Sequence, residues 1–529
     1  MTVGSAIGGP VVRGCARAAG LYFDELNAAG GIDGTPVDLV VYEYDVDLPA
    51  GAQPEEASAW GERVRAAARE RAQDIVQGNA WLVIGPGDSI SANAVAEELG
   101  GAESGPILAG ITPTATAVEV TAGHPGYFRT APSTRAEGRV LAHYMLRVVD
   151  MDQVVVLKDP ADDYATAFSD DFVRPFTALG GELDVELFED SAAREVDVLL
   201  GNRLFRPDAI VLALQPPAAA AAIAELRRRG ATLPIVGGDS LVGERFHELL
   251  QQEPEERAQP GVFSDGVYAA SPFLFDTADA AGRRFRQSYL QRYGEEPGWG
   301  AATTHDAALV ATEAIRSALR SGSDSATVDG RAAVLAYLQG LTDAEAPRGL
   351  LGPVVFDSEG DPPDRVWITR MHGNRQLSAP VQLVPAGRVA DNGELPEDLG
   401  SEVLAVGGRY MRKARVVYTG MDFNQISNFD GLGGYTADFY LWFRYRDVDP
   451  AVDGIGPADI ADVELLEVAE GTNFALSEEP LESRRDGGMR YELYRIKADF
   501  NNAFDFHDYP FDRQAIEISL RNRTLTRDR

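Results

Sequence analysis

The chain is poor in cysteine, lysine and histidine, and it has no long apolar run. Its 529 residues hold one cysteine, Cys15, which excludes an internal disulfide and any thiolate metal cluster. Cys15 falls among alanines on an expected helix and reads as a buried structural thiol. Lys158, Lys413 and Lys497 are the lysines, so nearly all the positive charge is arginine. The six histidines (His124, His143, His247, His305, His372 and His507) show no metal-ligand spacing, and no Walker-type phosphate loop occurs. Nothing in the sequence calls for a metal or a cofactor. No run approaches the ~20 apolar residues of a membrane span, and no signal peptide precedes the first strand. Met1 is followed almost at once by mature-looking sequence, and Arg529 stops in mid-pattern. The chain is therefore expected to be a piece trimmed at both ends, and a missing targeting segment carries no weight.

What the sequence has in excess is acid. A net charge of −34 argues against nucleic acid and against anionic membrane surfaces as partners. At 45% apolar and 25% charged residues the chain is globular throughout, and its length demands two or three domains.

The stretch Trp81-Leu82-Val83-Ile84-Gly85-Pro86-Gly87-Asp88-Ser89-Ile90-Ser91 organises the N-terminal part. Four apolar residues and Gly-Pro-Gly read as a buried strand with a sharp stop. Asp88 and Ser89 then stand at the start of a helix expected over Ile90–Leu99. A strand that turns into a helix N-terminus presents bare N–H groups and the positive dipole end, a setting for a carboxylate or phosphate. Pro106–Ile111 repeats the strand, followed by the polar loop Thr112-Pro113-Thr114-Ala115-Thr116. The spacing leaves two readings open, ordinary βα turns of a parallel sheet or the wall of an anion pocket.

Helical periodicity over Val12–Leu26 and Glu55–Val76, with a strand at Val37–Tyr44 between them, gives βαβ units and a parallel sheet covered on both faces. A second αβ series follows the extended segment Tyr127–Pro132. It has helices at Arg135–Val149, Ala165–Leu179 and Ala218–Arg229, and strands at Val154–Leu157, Leu183–Phe188, Ala209–Leu214 and Pro234–Gly237. Extended Gly266–Phe273 leads to helices near Ala278–Tyr293, Ala301–Arg320 and Gly330–Leu341, and a strand is expected near Arg365–Met371. Two sheet-bearing lobes joined by more than one crossover would hinge, and would hold a ligand at the carboxyl ends of their strands. Pro380–Gly400 reads as a linker. Beyond it the period changes to two: Tyr435–Tyr445, Val416–Tyr418, Arg490–Ala498 and Ala515–Leu520 are expected strands of an all-β sandwich.

Asp24-Glu25-Leu26-Asn27-Ala28-Ala29-Gly30-Gly31-Ile32-Asp33-Gly34, Val83-Ile84-Gly85-Pro86 with Ser89, Ile111-Thr112-Pro113, Phe128-Arg129-Thr130 and Gly349…Gly352-Pro353-Val354 occur in this order. Together they resemble the type I periplasmic binding proteins, in the branch that takes branched-chain amino acids and amides, over about residues 1–380. The resemblance implies two Rossmann-like lobes, at about 1–130 with 274–345 and at about 135–265, with a closing crossover at 346–385 and a linker at 386–408. It implies a small ligand in the cleft. Its carboxylate would meet Ser89, Thr114 and Thr116 with the amides around Ala115 and the turn at Asp88. Its ammonium would meet Asp239, with Tyr164 beside it. Gln215 stands where an aromatic is common, and Pro10–Gly20 is shorter than usual. By its position after the apolar strand Pro234–Val236, Asp239 either faces the cleft or caps the following helix.

Residues 409–529 carry Tyr509-Pro510-Phe511-Asp512-Arg513-Gln514 and, upstream, Phe439–Asp447; over about Arg415–Asn522 they resemble the extracellular β-sandwich of pentameric ligand-gated channels in its cysteine-free bacterial form, C-terminally incomplete here. By that analogy Tyr509, Pro510, Phe511 and Asp512 form a coupling loop, the protein is a membrane-anchored extracytoplasmic receptor, and a homopentamer follows.

Gly238-Asp239-Ser240-Leu241 also spells a lipase block, but that family places it at the first strand and needs an Asp-x-x-His pair that this chain lacks. A binder rather than an enzyme is expected. It would sense an amino-acid-like solute and relay closure to a membrane domain beyond this sequence. The alternatives are the binding component of an ABC transporter for amino acids or amides, and a scaffold with an empty cleft.

Overall fold

The computed structural model describes residues 2–8, 13–44, 54–99, 108–113, 121, 123–201, 206–323, 326–373, 375–388, 403–430, 433–446, 463–465, 479–486, 489–501, 518 and 520–522. They divide into two compact units, Met1–Ala379 and Pro380–Arg529.

The first unit is a pair of α/β lobes. Lobe 1 carries a five-stranded sheet of β1 (Thr2–Gly8), β2 (Asp38–Tyr44), β3 (Ala80–Ile84), β4 (Gly110–Thr112) and β5 (Tyr127–Arg129), all parallel, in the order β2-β1-β3-β4-β5. Lobe 2 repeats this order with β6 (Gln153–Lys158), β7 (Glu182–Leu187), β8 (Ala209–Ala213), β9 (Ile235–Gly237) and β10 (Val267–Ser271), arranged β7-β6-β8-β9-β10. The antiparallel hairpin β11 (Trp367–His372) and β12 (Arg375–Ser378) extends the second sheet. Strand β3 is buried along its whole length, as a central parallel strand with helices on both faces must be. Each strand order reverses beside its first strand, and in open α/β sheets ligands generally bind at such reversals.

The signature Asn27…Gly31 has a mechanical reason. Asn27 Nδ2 donates to the Val37 carbonyl at 2.8 Å, and its Oδ1 accepts from the Val37 N–H at 2.7 Å, clamping helix Arg13–Ala28 to the start of β2. Gly31 holds φ at 75°, where a side chain would also run into the Thr35 carbonyl.

Three connections cross between the lobes, at 130–133, 272–279 and 341–366. The third is pinned to lobe 1 by a buried cation. Arg129 has no exposed side-chain surface; its Nε lies 2.6 Å from Asp361 Oδ1, its Nη2 donates to Thr121 Oγ1 at 2.6 Å, and its N–H donates to the Gly360 carbonyl at 3.0 Å. Asp306, inside helix Trp299–Arg320, accepts from the N–H groups of Leu350 and Leu351 at 2.7 and 2.9 Å. That places His305-Asp306 in a structural role.

Three boundaries differ from the sequence reading. Lobe 2 does not end at 265, because β10 continues its sheet, and much of the expected crossover 346–385 is the hairpin β11–β12. The expected linker 386–408 is partly strand: β13 (Val381–Arg388), β14 (Val403–Val406) and β15 (Arg409–Arg415) form an antiparallel sheet ordered β13-β15-β14. Pro and Gly in β13 suggested a linker, but β13 is an edge strand whose register shifts between Pro385 and Gly387, and an edge bulge tolerates both. Helices Ala192–Gly201 and Glu244–Gln252 went unread in the sequence because they are short.

The second unit also holds an antiparallel sheet of β16 (Val417–Ser427), β17 (Gly434–Arg446), β19 (Glu482–Asp486) and β20 (Met489–Asn501), ordered β16-β17-β20-β19, and the pair β18 (Val463–Leu465) with β21 (Leu520–Asn522). Alternate residues Tyr435, Ala437, Phe439, Leu441, Phe443 and Tyr445 of β17 join Tyr494, Ile496, Ala498 and Phe500 of β20 in one apolar face, with Leu520 against it. Among the described residues, no helix is long and apolar enough to cross a membrane.

Removing Asp361 strands the Arg129 guanidinium. Asp361→Ala is expected to destabilise the first unit by roughly 3–5 kcal/mol, read from its urea midpoint.

Candidate functional site

On lobe 1, β3 gives way to helix Ser89–Leu99, and Asp88 Oδ1 caps it by accepting the Ser91 N–H at 2.8 Å. The helix therefore begins one residue before the expected Ile90. The next loop is held from three sides. Thr112 Oγ1 donates to the Pro86 carbonyl at 2.7 Å, Thr303 Oγ1 to the Pro113 carbonyl at 2.7 Å, and the Thr130 N–H to the Thr112 carbonyl at 3.0 Å. The side chain of Ser89, residues Thr114, Ala115 and Thr116, and the loop Tyr509, Pro510, Phe511 and Asp512 lie outside the described residues.

On lobe 2, Tyr164, Gln215 and Asp239 follow the carboxyl ends of β6, β8 and β9, which are neighbours in the sheet. The Gln215 amide nitrogen lies 3.2 Å from Asp162 Oδ2, and Asp162 Oδ1 caps helix Asp163–Ala178 through the Ala165 N–H at 2.7 Å. Gln215 thus joins two strand-end loops at the point where the order reverses. Asp239 opens the short turn Asp239–Leu241, where Gly238 takes the cap position, and the next helix, Glu244–Gln252, is capped at Gly243. The helix-cap reading of Asp239 is set aside.

The residue that sequence reasoning missed is Glu137. It lies in the first turn of helix Thr134–Arg147 with no exposed surface, and its Oε2 accepts the Asp239 N–H at 3.2 Å. In the sequence it is an acid at a helix start, a common place for one on a surface helix. Gly238 makes the approach possible, since a Cβ there would stand 2.4 Å from the Tyr164 hydroxyl and 3.0 Å from Glu137 Oε2. Tyr164 is buried, stacks on Phe168 at 6.0 Å and accepts the Ser240 N–H at 3.4 Å.

Two carboxyls are therefore buried side by side, and among the described residues no cation acts on either. Burial pushes Asp239 up to about 7, against a lowering hydrogen bond from the Tyr164 hydroxyl. Burial, and then the Asp239 charge, hold Glu137 well above the usual carboxylate range. Glu137 Oε1, Ser240 Oγ, Ser91 Oγ and Trp299 Nε1 are buried with no hydrogen-bond partner among the described residues. At Glu137 a carboxylate oxygen beside a second buried carboxyl is thus left with acceptor capacity unused among the described residues.

The sequence model of a family described as periplasmic binding protein matches residues 61–375. No curated protein matches the chain. Several solved structures share its fold. The branched-chain amino acid transporter substrate-binding protein LivJ of Streptococcus pneumoniae, in complex with isoleucine, is 23% identical with a TM-score of 0.57; the match covers 71% of this chain and 97% of that one. A leucine binding protein, LivK, of Thermotoga maritima is 20% identical with a TM-score of 0.58 over the same shares, 71% and 97%. A solute-binding protein of an ABC transporter from R. palustris, in complex with benzoate, is 18% identical with a TM-score of 0.55 and covers 71% and 94%.

The raised Asp239 carboxyl fixes a pH dependence. Between the ordinary value of 3.8 and about 7 the folded chain keeps a proton that the unfolded chain has lost, so this group lowers stability as pH rises through that window. Asp239→Asn is expected to stabilise the first unit, with the gain larger at pH 8 than at pH 5 by roughly 1–3 kcal/mol. Paired denaturation curves at the two pH values check it.

Proposed function

Because the chain belongs to the periplasmic binding protein family, we propose that it binds a small amine-bearing solute of the amino-acid class between its lobes and delivers it to an ABC-type uptake permease. The observation that carries this reading is the buried pair Glu137–Asp239, with no cation beside it among the described residues. An ammonium group on Asp239, hydrogen-bonded beside the Tyr164 hydroxyl, supplies the missing charge. The solute's carboxylate then faces the N-terminus of helix Ser89–Leu99, with the Ser89 hydroxyl and the Thr114-Ala115-Thr116 loop as donors and Asp88 fixing the helix start. A benzoate binder has the same fold and its ligand has no amine, so the fold alone does not select amines; in this reading Asp239 supplies that preference. Binding of this kind takes place outside the cytoplasm.

A sensor reading rests on one further observation. The family match ends at residue 375, and residues 380–529 form a separate unit. In a receptor that unit would carry lobe closure toward a membrane domain, through the loop Tyr509–Asp512, with a coupling of roughly 1–3 kcal/mol.

Calorimetric titration of the chain with L-leucine, L-isoleucine, a neutral amide and benzoate tests the ligand class, repeated with Asp239→Ala. An amino acid is expected to bind, and the variant to lose at least about a hundredfold in affinity. Benzoate or the amide binding equally to both proteins would refute the amine reading.

A further inference from the structure

Glu244 belongs to lobe 2 by its helix but not by its carboxylate. Helix Glu244–Gln252 roots itself in the lobe 2 core through Phe246 and Leu250. The Glu244 side chain leaves that lobe: its Oε1 accepts the N–H of Gly298, the residue that opens lobe 1 helix Trp299–Arg320, at 3.2 Å. A Cβ on Gly14, in the first turn of lobe 1 helix Arg13–Ala28, would stand 2.7 Å from the same oxygen. Neither helix has an acid in its own first turn, and Gly298 has no side chain with which to cap. One carboxylate of lobe 2 thus bonds the N-terminus of one lobe 1 helix and lies against the first turn of another, where the partial positive charge of both helix dipoles faces it.

The space for that carboxylate depends on glycine. On Gly298 a Cβ would lie 3.1 Å from Glu244 Oε1, and on Gly14 closer still. Beside this contact the lobe 1 residue Trp299 packs against the lobe 2 apolar cluster that includes Leu241, Val242 and Phe246. Burial raises the Glu244 pKa, as it must for a carboxylate drawn out of water into such a seat. Arg17 is the cation nearby, and it is already paired with Glu295 on its own lobe.

We propose that Glu244 is an interlobe latch, a positioning residue that holds the two lobes closed by capping helices Arg13–Ala28 and Trp299–Arg320 from the opposite side of the cleft. It acts on any bound solute through closure, because a ligand that needs the closed form binds in proportion to the closed population. The latch rests on the clamshell reading above, but its readout needs no solute, so a failed ligand screen leaves it testable.

The experiment places spin labels at Glu70→Cys and Arg174→Cys, on helices of opposite lobes, with side chains 69% and 79% exposed. Cys15, beside Gly14 and against the Gly300 carbonyl, is replaced by Ser in every variant so that opening exposes no third label site. Interlobe distances are measured in the full chain with Gly14→Ala, Glu244→Ala and both together, and hydrogen exchange is followed at Gly298. Each single variant is expected to lengthen the distance and to speed Gly298 exchange roughly tenfold. The double variant should open no further than Glu244→Ala, since the methyl group added by Gly14→Ala then has no carboxylate to displace. Alanine inside a helix does not lower its stability, so Gly14→Ala separates opening from unfolding, and its melting temperature should not fall. Unchanged distances in either single variant, or additive opening in the double, would overturn the latch.

Discussion

Burying a carboxylate away from any cation is costly, and among the described residues this is the situation of Asp239, with a second acid, Glu137, against it. The arrangement requires glycine directly after β9, at Gly238, helix Thr134–Arg147 to turn Glu137 inward, and Tyr164 to lie over Gly238. Each element is ordinary alone. Their meeting point is a preorganised pair of carboxyls after the carboxyl end of a parallel strand, where irregular backbone collects.

The contrast with Arg129 shows why that site reads as functional. Arg129 is also fully buried, but Asp361 neutralises it, and Thr121 and the Gly360 carbonyl complete its surroundings. Its electrostatics are satisfied within the chain, and its work is to fix the closing crossover on lobe 1. The Glu137–Asp239 pair finds no such partner among the described residues. One pair holds the frame rigid, while in the proposed function the other leaves a charge for a ligand to resolve.

Much of the fold could be read from the sequence because it rests on local signals. Helical periodicity placed Arg13–Ala28 and Pro54–Gln77 to within two residues at each end, and the apolar run Trp81–Ile84 marked a doubly covered strand. Alternation in Tyr435–Tyr445 marked one face of β17. Features set by tertiary context were not legible. An edge position made a strand of β13 despite Pro385, and parallel pairing with β9 made β10 part of lobe 2. At the site, Asp239 and Tyr164 could be named because each follows a strand end. Glu137 could not, since its burial comes from a contact 102 residues away in the chain.

The most direct test is the proton count of binding. Calorimetry of the amino acid that binds, run at pH 6 in buffers of different ionisation enthalpy, gives the protons released per ligand. With the Asp239 carboxyl near 7, an ammonium that takes its place beside the ionised form must expel its proton. The account predicts release of about one proton at pH 6, fading toward zero by pH 8. Heats independent of buffer at pH 6 would mean that the amine does not sit on Asp239.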